Sequence, residues 1–127
     1  MRDEILTAMQ QMIAALTGGT VVIGSLPPLG GYAVSFAGGA PRATFRTLVN
    51  SDQELPVQFT GKNADQQQLA AAMEQVHQAL TTAAQLPFAE KWQIYAIETT
   101  SAPQLIGREE NINYIYGSSF RVKFYAR

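Results

Sequence analysis

The sequence predicts an α+β domain: a mainly antiparallel sheet packed against two amphipathic helices. Apolar residues recur at helical spacing in residues 3–17 and 64–86, and several other runs alternate apolar and polar side chains as strands do. Gly, Pro or Asn punctuates most junctions. A chain of 127 residues is long enough to bury one core, so a single domain over residues 1–127 is expected.

In the first helix Ile5, Leu6, Met9, Met12, Ile13 and Leu16 share one face, and Gly18-Gly19 ends it. Short strand-like runs follow at 20–24, 32–38 and 44–50, separated by SLPPLGG and GAPRA. Asn50–Gln53 is expected to turn, and LPVQFTG to return with Val57 and Phe59 on one face; these segments look like hairpins of an antiparallel sheet. Asn63, with Gln66 three positions on, suggests the N-cap of the second helix. Leu69, Met73, Val76 and Leu80 form its apolar stripe, and Pro87 is expected to close it.

Residues 91–100 carry apolar side chains on both parities, which predicts a strand in the sheet interior, covered on both faces. The closing run is the clearest strand. Tyr114, Tyr116, Phe120, Val122 and Phe124 take one parity, and Ser119, Arg121, Lys123, Tyr125 and Arg127 the other. Residues 112–126 would extend about 50 Å if flat, so a bend or bulge is expected near Gly117.

Composition excludes several functions. Nine Lys and Arg against ten Asp and Glu leave a net charge of -1, so no overall field draws the chain to nucleic acid or a membrane. Zero cysteines exclude disulfides, thiol chemistry and cysteinyl metal sites. Charged residues make up only 15%, against roughly 25% in ordinary soluble domains, which points to surface buried by partners. The opening MRDEIL lacks the basic region of a secretory signal, and no apolar run approaches the ~18 residues of a membrane span, so cytosolic synthesis and no membrane contact are expected.

Catalytic signals are weak. His77 is the single histidine, beside the apolar stripe of the second helix, and reads as a helix-flank side chain without chemistry. Gly117-Ser118-Ser119 fails the nucleophile-elbow pattern, and Gly61-Lys62 is followed by Asn63 where a phosphate loop needs Ser or Thr. Glu109 and Glu110 sit at a loop tip, where adjacent carboxylates are ordinarily solvated; an enzyme built on these, Glu98 or His77 is the least supported class. No catalytic residue, cofactor or metal is expected. The outer row Arg121, Lys123, Tyr125 and Arg127, with Arg108, Glu109 and Glu110, supplies the candidate interaction residues, against the alternative of a plain solvated face.

Two stretches carry a family resemblance. NSDQELPVQFTGKNADQQQLAAAMEQVHQAL and WQIYAIETTSAPQLIGREENINYIYGSSFRVKF together resemble the tail terminator, or minor capsid, proteins of long-tailed bacteriophages and prophages, over about residues 44–127. The resemblance implies a virion structural protein, assembled in the host cytoplasm, that forms a ring, commonly a hexamer, on the head-proximal end of the tail tube. Such a ring ends tube growth and offers a face to the head, so the implied partners are further copies of the chain, the major tail tube protein and the head–tail connector. The alternative is a head-closure subunit whose basic face makes weak contact with passing DNA.

Overall fold

The computed structural model describes residues 2–18, 20–24, 26, 30–36, 42–45, 51–83, 86–109 and 113–126. Along the chain these form α1 (Arg2–Thr17), β1 (Val21–Ile23), β2 (Gly31–Phe36), β3 (Arg42–Phe45), β4 (Ser51–Asn63), α2 (Gln66–Thr81), β5 (Trp92–Glu109) and β6 (Asn113–Ala126). Among the described residues six strands make one sheet in the order β1-β2-β4-β6-β5, and β3 pairs β4 on the edge that β2 also uses. The α+β expectation holds.

Alternation decides which side of each strand is buried. Leu55, Val57 and Phe59 of β4 meet Phe120, Val122 and Phe124 of β6, and all six are buried. Ile94 and Ile97 of β5 and Val34 of β2 extend the same layer, and Ile5, Leu6, Met9 and Ile13 of α1 with Leu69, Met73, Val76 and Leu80 of α2 complete it in one core. Each such side chain contributes roughly 1.5–3 kcal/mol by leaving water. Gly61 sets the approach of α2: a Cβ there would lie 2.9 Å from Leu69 Cδ1 and 3.0 Å from Met73 Sδ.

The helix ends follow local chemistry. Gly18 closes α1 at φ +70° with its N–H bonded to the Ala14 carbonyl at 2.8 Å, a left-handed cap that glycine adopts without a Cβ penalty. The N-cap of α2 is Asp65, not Asn63: the Asp65 carboxylate accepts from the Gln68 N–H at 3.2 Å, while Asn63 accepts from the Asp65 N–H and steers the chain into it. Thr82 ends α2 by bonding the Gln78 carbonyl, well before Pro87.

Four further expectations are corrected. Residues 51–53 belong to β4, because pairing with Phe124–Ala126 on one side and Ala43–Phe45 on the other outweighs their turn preference. Asn50 lies outside the described residues. β1 pairs β2 in parallel rather than in a hairpin. β6 holds one unbroken register against β4 past Gly117; the irregularities fall on β5 instead. Finally, β5 is an edge strand, and Tyr95 is an additional residue between the pairs at Ile94 and Ala96. That insertion shifts the parity and makes a one-sided strand look apolar on both sides.

Phe120→Ala is expected to cost about 3–5 kcal/mol in urea unfolding, because it opens a cavity in the core, whereas Arg121→Ala on the opposite side should change stability by no more than about 0.5 kcal/mol.

Candidate assembly surface

The side of the sheet facing away from the core is built by the other parity of the same strands. Arg121, Lys123 and Tyr125 are half-buried in one row of β6, as the alternation predicts. The register then brings acids beside the bases: Glu54 of β4 is opposite Lys123, and Glu98 of β5 is opposite Arg121.

The result is a ladder of charges in place of a basic stripe. Lys123 Nζ lies 2.9 Å from Glu98 Oε1 and 3.8 Å from Glu54 Oε1, and Arg121 Nε lies 3.5 Å from Glu54 Oε2. The hydrogen bond to Glu98 lifts the Lys123 ammonium above its ordinary pKa against an opposing effect of burial, with the charges of Glu98 and Glu54 and nearby Tyr95 adding to the rise. Two carboxylates against two cations leave this patch close to neutral. Glu54 was not among the candidate residues, although the parity of Glu54, Pro56 and Gln58 against Leu55, Val57 and Phe59 marks it as outward-facing.

The remaining candidates do not converge on that patch. Arg108 is exposed near the end of the β5–β6 hairpin, its guanidinium 4.7 Å from the Tyr114 ring centroid, an arrangement in which a cation is attracted to the ring face. Tyr114 is seven positions from Arg121 along β6, about 24 Å at ~3.4 Å per residue. Glu109 ends β5 opposite Asn113. Arg127 and Glu110 lie outside the described residues.

The residues considered for catalysis are also separated. His77 is buried on the core side, its Nε2 2.7 Å from Thr99 Oγ1 and its ring 4.8 Å from that of Phe120. Glu98 is held on the opposite side by Lys123. Burial pushes the His77 imidazole below its ordinary pKa, with the charge of Glu74 acting in the other direction. Among the described residues no group of three or more His, Asp or Glu could hold a metal ion, and no helix is long and apolar enough to cross a membrane. An open groove of about 680 Å³ lies at the start of β5, lined by Met12, Leu86, Pro87, Phe88, Ile94 and Tyr95 among others, with no carboxylate or histidine among the described residues of its wall.

No model of a known protein family matches the chain, and no curated protein matches its sequence. Among solved structures it is similar to a chain of the "Virion of native gene transfer agent (GTA) particle", with a TM-score of 0.64 and 18% sequence identity over 96% of this chain and 95% of that one. At that identity the two share a fold.

Two measurements check the electrostatics. Glu54→Gln with Glu98→Gln leaves Arg121 and Lys123 without their acids, so the double variant should bind duplex DNA at low salt more tightly than the wild type, and the gain should vanish as salt rises. Because the folded pKa of His77 is depressed, protonation favours the unfolded chain: its contribution to stability is intact above about pH 6.5, the ordinary histidine value, and falls away below it. Melting temperatures measured from pH 7 to 5 should therefore drop less for His77→Gln than for the wild type.

Proposed function

We propose that this chain is a structural subunit of a tailed-phage-type virion and that, within it, it acts as a tail terminator. Copies form a ring on the head-proximal end of the tail tube, stop its growth and present the surface to which the head docks. The single observation that carries the virion reading is the fold match across almost the whole of both chains to a component of a gene transfer agent particle. The finer assignment rests on the phrases LPVQF and FRVKF and on the order of strands and helices around them.

The composition supports the same reading. Twelve glutamines and a charged fraction of 15% suit a subunit that packs against copies of itself, since charged residues are depleted from interface cores. Its work is geometric. A head-to-tail contact that closes under rotation gives a ring, whereas one that does not close gives a filament. The head-closure alternative with a DNA-facing basic surface takes second place, because Glu54 and Glu98 pair Arg121 and Lys123, two of the three cations on which that surface would depend.

Tail tubes incubated with the purified chain and imaged by negative-stain electron microscopy provide the test. Density at one end and arrested elongation are expected. A chain that neither binds tube ends nor changes tube length would overturn the terminator reading.

A further inference from the structure

His77, the single histidine of the chain, is 7% exposed where α2 packs on β5 and β6, its ring 4.8 Å from that of Phe120 at a tilt of 31°. At one edge of the ring Nε2 is 2.7 Å from the hydroxyl of Thr99. At the other, Nδ1 is buried and has no hydrogen-bond partner among the described residues.

This setting suits the neutral ring alone. A hydroxyl can donate to a ring nitrogen or accept from one, so Thr99 satisfies Nε2 in either tautomer, and with the proton on Nε2 all that is left bare at Nδ1 is a lone pair. A protonated ring carries an N–H at both nitrogens. The one at Nδ1 would be a buried, charged donor facing no acceptor, which is costly. Burial accordingly holds the imidazole below its ordinary pKa.

The surrounding charges offer no remedy inside the fold. Glu98 of β5, Arg121 and Lys123 of β6 and Glu54 of β4 are held in the ladder on the other side of the sheet. Lys62 of β4 follows core-facing Gly61 and so has outward parity. Glu4 of α1 accepts from Trp92, while Asp65 and Tyr116 are engaged at the far end of α2. Glu74 is the acid that acts on His77, and it is exposed, three positions earlier on α2. Residues three apart on a helix are neighbours, and an acid N-terminal to a cation is the favourable order. Thr99 is exposed as well. The ring therefore sits at the rim of the seam, with water and a carboxylate one side-chain rotation away.

We propose that His77 is a pH-operated latch: neutral, it lies inside over Phe120, and on protonation it swings past Thr99 into solvent beside Glu74, opening an apolar recess between α2 and β5 while the fold persists.

With one histidine in the chain, its ring protons can be followed without ambiguity in an NMR pH titration. A nuclear Overhauser contact between the His77 and Phe120 rings is expected in the neutral form. As the ring protonates, with a midpoint below the ordinary value of about 6.5, that contact should disappear while the amide spectrum keeps its folded dispersion. Glu74→Gln should lower the midpoint by roughly 0.2–0.4 pH unit, the loss of one helical ion pair. Thr99→Val removes the partner of the inner position and should raise it. Both variants change exposed side chains. A contact that survives protonation, or that is lost only together with the folded dispersion, would overturn the latch, because the ring then stays inside or leaves only when the fold does. A midpoint that either variant fails to move in the stated direction would overturn it too.

Discussion

The unbroken pairing of β4 with β6 is the constraint on which the rest of the structure depends. Every residue from Ser51 to Asn63 has a partner between Ala126 and Tyr114. Side chains alternate with a period of two, so this one register puts Leu55, Val57 and Phe59 with Phe120, Val122 and Phe124 on the core side and Glu54 with Lys123 on the other. A slip by one residue would bury the charges and expose the phenyl rings. Helix α2, β2 and β5 find their places against that pair, and α1 packs on β1, β2 and α2.

Such a frame separates two kinds of chemistry. The core side holds the single histidine between Thr99 and Phe120, where burial favours its neutral form. The other side holds charges that mostly satisfy one another. His77 and Glu98 are thereby divided by the thickness of a sheet.

How much of this the sequence disclosed depended on how local the governing physics was. The helical stripes at Ile5–Ile13 and Leu69–Leu80 and the alternation from Tyr114 to Phe124 are read from neighbours a few positions apart, and the structure agrees with them. Ser51–Gln53 are polar and look like a turn, but their conformation is set by two partner strands far away in sequence. The insertions in β5 defeated the parity rule for the same reason, since nothing near Tyr95 announces that its partner strand lacks an equivalent residue. The outer row of the candidate surface was legible on Arg121, Lys123 and Tyr125, whereas its neutralisation by Glu54 required knowing which strands are adjacent.

The bare Cα of Gly61 has a consequence for which sequences this fold can accept. Charges on the open side can be exchanged or reversed together. At position 61 any larger substituent would have to displace the ends of the Leu69 and Met73 side chains, which lie directly over the strand. A shared architecture at 18% identity is the natural outcome when specification rests on close contacts of this kind and on periodicity, which many unlike sequences can supply.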